Sequence, residues 1–474
     1  MDAERENTWS TAALAVLAAL YLILWRPGYS VMGGGDFALY LAHAQAIATL
    51  QPYGATFFIF NPANAIMSPA AYPPGLPLLL VPLVAVLGID LNAVRLLMLA
   101  SLLATLWGLH RLALPTLGPR WSAVLVLAAG LSPAILMRRD AIGSDMPFAA
   151  WCMLALLGAR GRPALLAIGV AMAILTRSIG IVLAAAIALD LVLRPGTARR
   201  RLMPALIAGV AVALVGMLWL RVDNTTYAGY FARLYGSGMG VSGLVRHFID
   251  TGQAYAFALV ELFGLSFGRL ANYPILLALA ALIAAGLIQR LRRGFDAIAL
   301  FVILYIGALI AFPVHMEPTR YALPILPLLL LLALEFCAPR LGRHGPALAL
   351  ATLAILYLPF YAQHNARAVA PLNTDSADFI DLIDKIRATP PGTLFLARNP
   401  RIFALFGARP AVSWPERLTA DSLGDTIARF RPVYVIEEKW RRGDDAAALL
   451  AAMPIIHENP LYRLRSIPAA TPGR

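Results

Sequence analysis

Long apolar runs broken by short polar turns fill the chain up to residue 361. A helix needs about 20 predominantly apolar residues, within about 17–25, to cross the hydrocarbon core of a bilayer. Runs near that length fall at 8–25, 92–110, 121–137, 145–158, 163–177, 179–194, 202–221, 274–289, 296–313, 320–337 and 345–361, several of them borrowing flanking residues. Two further apolar segments, 75–88 and 253–270, are ambiguous. The first opens Pro73-Pro74-Gly75-Leu76-Pro77, which suits a broken interfacial helix better than a clean span. Residues 1–24 carry acidic side chains and no small-residue cleavage site, so they read as a first spanning helix and not as a removed signal.

After residue 370 the pattern changes to dense charge with short alternating elements. Thr374-Asp375-Ser376 can cap a helix whose apolar positions Phe379, Ile380, Ile383 and Ile386 recur at helical spacing. Strands follow at Thr393–Ala397, Ala411–Trp414, Val433–Glu437 and Leu461–Ile467, and helices at Pro400–Phe406, Asp421–Phe430 and Asp444–Met453. That alternation predicts a small soluble α/β domain over 370–474. It has no Gly-rich phosphate loop, which points to an acceptor-side or structural module. The remainder, 1–365, is the membrane domain, with 26–91 as its long first loop.

Composition agrees with a membrane class. Hydrophobic residues make up 60% of the 474, against about 45–50% in soluble domains. The formal net charge of +13 is held in short clusters between apolar runs, at His110–Arg120, Arg160–Arg162, Arg194–Arg201, Arg290–Arg293 and Arg340–His344. Clusters of that kind are cytoplasmic loops by the positive-inside rule and not a nucleic-acid surface. With the N-terminus inside, all five fall in the cytoplasm only if 75–88 and 253–270 do not cross. The predicted fold is then polytopic α-helical, with about eleven transmembrane helices plus juxtamembrane helices and an extracytoplasmic C-terminal domain. The first lysine is Lys385, so no lysine nucleophile is available before it. Cys152 and Cys337 lie far apart in apolar stretches and offer neither a structural disulfide nor a metal cluster.

This topology gathers Asp36, Asp140, Asp145, Asp223, Glu261 and Glu317 on the outer face, with Arg138, Arg139, Arg177, His315 and Arg320. Asp36 follows Gly33-Gly34-Gly35 at the start of a helix, with Tyr40 and Ala44 on its face. It can be that helix's N-cap, a catalytic carboxylate, or both. Asp145, before Met146-Pro147, can likewise cap the next helix, and Arg139 can neutralise Asp140 or Asp145. A third cluster is His315-Met316-Glu317-Pro318-Thr319-Arg320-Tyr321, and a fourth turn holds Thr176-Arg177-Ser178. Each arginine singly can snorkel to lipid headgroups. Several on one rim suit a bidentate grip on phosphate.

The set resembles the GT-C superfamily of integral membrane glycosyltransferases, among them protein O-mannosyltransferases and bacterial lipid A aminoarabinose transferases. The resemblance rests on Asp36-x-x-x-Tyr40-x-x-x-Ala44 and Tyr72-Pro73-Pro74-Gly75-x-Pro77-Leu78. It continues through Arg139 ahead of Asp145-Met146-Pro147, Leu175-Thr176-Arg177, and Arg320-Tyr321-x-x-Pro324-x-x-Pro327. It implies an inverting transfer of sugar from a polyprenyl-phosphate donor to a lipid, glycan or protein acceptor, in the inner or plasma membrane, on its extracytoplasmic face. Asp36 is then the base or positions the acceptor, and Asp145 supports it or a metal. Arg139, Arg177 and Arg320 hold the donor phosphate, while Tyr40, Tyr72, Asp140 and Tyr321 line the sugar or acceptor. The sequence departs from the family at Thr176-Arg177, where threonine-lysine is common, and shows no His and Glu cluster near the first loop. No cofactor is certain. A divalent metal is possible, with His315 and Glu317 or Glu261 as its candidate ligands. The rival readings are a transporter or flippase, a polysaccharide polymerase, and a membrane scaffold.

Overall fold

The computed structural model describes residues 2–25, 28–30, 35–67, 69–193, 196–220, 235, 240–312, 317–365, 373–440 and 446–468. The chain divides into two compact units. One comprises Met1–Arg26, Val94–Leu218 and Gly229–Val369; the other comprises Pro27–Ala93, Trp219–Ala228 and Ala370–Arg474.

The first unit is helical. It contains α1 (Asp2–Ile23), most of α4 (Leu91–Gly130), α5 (Pro133–Leu136), α6 (Asp145–Gly158), α7 (Pro163–Thr176), α8 (Gly180–Leu193) and α9 (Thr197–Trp219). Next come α10 (Val241–Leu262), α11 (Arg269–Arg293), α12 (Ala297–Ala311), α13 (Pro318–Ala322), α14 (Leu326–Leu341) and α15 (Gly345–Asn365). The run predicted at 92–110 is the first arm of α4, and the run at 121–137 divides between its second arm, beyond a kink, and α5. At the kink Gly118 takes φ 71°, between Pro115 and Pro119, where a missing N–H and a left-handed residue both interrupt the helical ladder. The ambiguous segment 253–270 is no element of its own: its first half completes the 22-residue α10.

Among the described residues, four helical stretches are long and apolar enough to cross a membrane: Leu91–Gly130, Arg199–Trp219, Arg269–Arg293 and Pro318–Gln363. Six shorter apolar helices accompany them. Large apolar side chains stand open on these helices, with Leu218 77%, Trp219 83% and Leu270 96% exposed. Apolar surface on that scale is sustained by lipid and not by water, so the protein is a membrane protein.

Glycines set the spacing that matters most for the site. A Cβ on Gly158 would collide with the backbone of Leu166, and one on Gly169 would stand 2.5 Å from the backbone nitrogen of Ala155. Helices α6 and α7 are thereby drawn into close backbone contact, the small-residue packing usual between membrane helices. Because they form an antiparallel hairpin, the start of α6 and the end of α7 share one end of the bundle.

The second unit contains α2 (Asp36–Ala48), β1 (Phe58–Ile59), α3 (Gly75–Leu87) and the C-terminal domain. The domain adds α16 (Ala377–Arg387), β2 (Phe395–Ala397), α17 (Pro400–Gly407), β3 (Ala411–Ser413) and α18 (Ala420–Phe430). It ends with β4 (Tyr434–Glu438), α19 (Ala446–Leu450), β5 (Ile455–Glu458) and β6 (Tyr462–Ser466). One sheet runs in the order β1-β3-β2-β4-β6-β5. Strands β1, β3, β2 and β4 are parallel, while β6 and β5 pair antiparallel beyond β4. The edge strand β1 comes from the first loop, with Phe58 opposite Ala411 and Ile59 opposite Val412. The first loop is thus woven into the C-terminal sheet.

Candidate active site

Helix α2 begins at Asp36, but Asp36 is not its cap. The capping position is Gly35, in the left-handed conformation at φ 74°, and no side chain caps the helix. The Asp36 carboxylate is engaged elsewhere. Its Oδ1 accepts from the Tyr72 hydroxyl at 2.8 Å and from Arg401 Nη1 at 2.8 Å. Arg401 stands one residue into α17, and its side chain is 2% exposed against 26% for Asp36. Its Nη1 also donates to the Tyr72 oxygen at 2.9 Å, and its Nη2 to the carbonyls of Met67 at 2.5 Å and Pro69 at 3.3 Å. The guanidinium lies 5.0 Å from the ring centre of Phe58 and 5.2 Å from that of Tyr72. The result is a carboxylate ion-paired to a desolvated arginine, yet open on one side.

Tyr72 is itself held at several points. Its ring stacks on Tyr40 at 4.5 Å, its backbone N–H donates to His43 Nε2 at 3.4 Å, and its carbonyl accepts from the Tyr53 hydroxyl at 2.6 Å. The other His43 nitrogen, Nδ1, faces the Tyr53 carbonyl at 2.8 Å. Acceptance at Nε2 makes Nδ1–H the donor and the ring neutral. Burial is the main reason that the His43 pKa falls to about 4. Burial also pushes the Tyr72 phenol well above its usual range, so Tyr72 offers Asp36 a proton donor at any ordinary pH.

In the first unit, Asp145 is the second ionised centre. It too fails to cap its helix, the capping position of α6 being Ser144. Arg177, at the end of α7, pairs with Asp145 Oδ1, and Arg320 Nε donates to Oδ2 at 2.9 Å. Arg320 Nη1 also meets Glu317 at 3.0 Å. Arg177 lies 5.3 Å from the ring centre of Tyr321 and 6.0 Å from that of Phe148. The Tyr321 carbonyl accepts from Tyr305 at 2.9 Å. The hydroxyls of Tyr255 and Thr176 are buried with no hydrogen-bond partner among the described residues.

The remaining predicted residues take other partners. Asp140 pairs with Arg95 and not with Arg139; Arg95 in turn covers the Trp25 ring at 4.1 Å. Arg139 donates to the carbonyls of Leu136, at 3.0 Å, and of Leu24. Glu261 accepts from Thr319 at 2.5 Å. His315 and Asp223 lie outside the described residues. Among the described residues, no group of three His, Cys, Asp or Glu side chains could hold a metal ion. Arg401 and Arg95, which sequence reasoning missed, carry no local signal: one lies in a soluble segment and the other in an apolar helix.

No protein-family model and no curated protein sequence matches the chain. Solved structures do. ArnT from Cupriavidus metallidurans, determined with undecaprenyl phosphate and in the apo state, is similar at 16% identity and a TM-score of 0.59, over 97% of this chain and 98% of that one. The Archaeoglobus fulgidus oligosaccharyltransferase, tethered to an acceptor peptide, is similar at 12% identity and a TM-score of 0.57, over 91% and 69%. The mycobacterial arabinofuranosyltransferase AftD is similar at 15% identity and 0.54, over 98% of this chain and 40% of that one. The chain therefore has the fold of the GT-C membrane glycosyltransferases.

Proposed function

We propose that the protein is an inverting glycosyltransferase that moves a sugar from a polyprenyl-phosphate carrier to an acceptor hydroxyl, with Asp36 as general base. Asp36 carries the reading: it is a partly exposed carboxylate, ion-paired to a buried arginine and bonded to a tyrosine. It does so in a fold shared with an enzyme solved with undecaprenyl phosphate. The acceptor oxygen attacks the anomeric carbon as the carbon–oxygen bond to phosphate breaks, its electron pair staying on the phosphate. The hydroxyl proton passes to Asp36. Phosphate leaves without needing an acid, so one base can suffice, and such a base is worth about 10²–10⁴-fold.

Arg177 and Arg320, both bonded to Asp145, form a cationic cluster of the kind that suits a phosphate group. Arg139 is less free for that role, because its guanidinium already serves two backbone carbonyls. Tyr321, which is partly exposed, is the aromatic surface on which a sugar or acceptor would rest, whereas Tyr40 is buried behind Tyr72 and acts by holding that ring. The membrane is the inner or plasma membrane, with the reacting groups and the C-terminal domain on its outer side.

The test is purified protein given a panel of polyprenyl-phosphate sugars, with released carrier phosphate as the readout. Release is expected with at least one donor, and Asp36→Asn abolishes it while the protein stays folded and membrane-inserted. No release from any donor overturns the donor class. Near wild-type turnover by Asp36→Asn overturns the base.

A further inference from the structure

We propose that Arg401 is the positioning residue for Asp36: from the C-terminal domain it orients the carboxylate and keeps it ionised. The inference rests on the reading of Asp36 as base. Burying a guanidinium costs several kcal/mol unless it is paired and hydrogen-bonded, and Arg401 is among the most deeply buried charges in the chain. Its bonds explain how it is tolerated. Nη1 meets Asp36 and Tyr72, while Nη2 meets two backbone carbonyls of the first loop. Those carbonyls fix the plane of the fork, and the Phe58 and Tyr72 rings flank it. The fork therefore reaches Asp36 from one direction only, and Asp36 Oδ1 is held with it.

Rigid parts hold the arginine. Arg401 sits in the first turn of α17, which follows directly from β2 in the parallel part of the sheet, and α17 packs against α2. Gly35 has no space for a side chain, because a Cβ would collide with Asn399 and stand 3.4 Å from Arg401 Cβ. The backbone at the start of α2 thus lies directly against the turn that carries the arginine. The ionisable groups near Asp36 include the Tyr72 phenol, Tyr40 behind it, Arg401, and His43 two turns along α2; α3, which packs on α2, carries none. Arg401 is a permanent cation bonded to the carboxylate, and an adjacent cation favours its charged form.

A purely structural alternative exists: Arg401 could simply staple the first loop through Met67 and Pro69. Three measurements separate the two. With Arg401→Ala, kcat is expected to fall about 100-fold, within the range of general-base help, while KM for the donor stays nearly constant. The acid limb of kcat/KM should move to higher pH, and added guanidinium should restore part of kcat. Arg401→Lys keeps the charge without the fork, so it should hold the wild-type acid limb with a reduced kcat; it also serves if the alanine variant does not fold. A folded Arg401→Ala whose pH profile is unmoved and which guanidinium does not rescue overturns the proposal. So does an Arg401→Lys with wild-type kcat. If either result appears while Asp36→Asn is inactive, the base reading survives and only the role of Arg401 is lost. If Asp36→Asn is active, the base reading itself has failed.

Discussion

Tyr72 donates its phenolic hydrogen to Asp36 Oδ1 at 2.8 Å, the same oxygen that Arg401 reaches. The ring does not depend on that bond for its place, since Tyr40 stacks on it and His43 and Tyr53 hold its backbone. Tyr72→Phe should therefore remove one donor from the carboxylate and leave the packing intact. A hydrogen bond to a charged group is worth about 1.5–3 kcal/mol, so kcat should drop by about ten- to a hundredfold, with thermal stability shifted by no more than a few degrees. Carrier release by the purified variant checks this. Unchanged turnover would remove Tyr72 from the support of the base.

His43 makes stability depend on pH. Its folded-state pKa, about 4, lies below the ordinary value of about 6.5, so the unfolded chain binds the extra proton first as pH falls. The stabilisation is complete above about pH 6.5, declines as pH drops toward 4, and amounts to about 3 kcal/mol at most. Melting curves at pH 7 and pH 4.5 should show the loss. His43→Gln keeps an acceptor and a donor without the titration, and should flatten this part of the pH dependence. A variant that loses stability with acid as steeply as wild type would show that other groups control it.

Apolar run length made most of the helices legible, because a membrane helix declares itself by continuous hydrophobicity. The C-terminal strands were legible for a similar reason: Phe395–Ala397 and the Tyr434-Val435-Ile436 start of β4 are short apolar runs. What escaped was long-range pairing. Asp36 and Arg401 are 365 positions apart, and no local pattern marks an arginine in a soluble segment as the partner of a carboxylate in the first loop. Strand β1 has two residues, too few for any periodicity. The cap assignments at Asp36 and Asp145 missed by one residue. An aspartate one position inside a helix still favours its N-terminal dipole, and its side chain is then free to meet arginines.

Asp145 should be energetically coupled to Arg177. The two side chains are each 12% exposed and pair directly, and removing one partner of a buried pair costs about 3–5 kcal/mol. Arg177→Ala and Asp145→Ala should each lower the apparent melting temperature of the purified protein sharply. The double variant should lose less than the sum, since neither charge is then left unpaired. Arg320 stays bonded to Asp145 in the first variant and softens its effect. Strict additivity would mean that the pair contributes nothing to stability.

Gly35 permits the sharpest structural test, because two costs coincide there and can be separated. Its φ of 74° is left-handed, which costs a residue with a Cβ roughly 1–2 kcal/mol. The added Cβ would also drive into Asn399 Oδ1, an atom that is buried and has no hydrogen-bond partner among the described residues. Gly35→Ala must therefore push α2 away from the turn that carries Arg401, lengthen the Asp36–Arg401 contact and depress kcat along with stability. Shortening the obstacle with Asn399→Gly removes the clash but not the backbone strain. The double variant should recover most of the lost activity while keeping a stability deficit near the strain alone. If Asn399→Gly restores nothing, the backbone conformation carries the whole effect. Turnover in the double variant thus decides whether the close fit between these two segments, rather than the turn itself, aims the carboxylate.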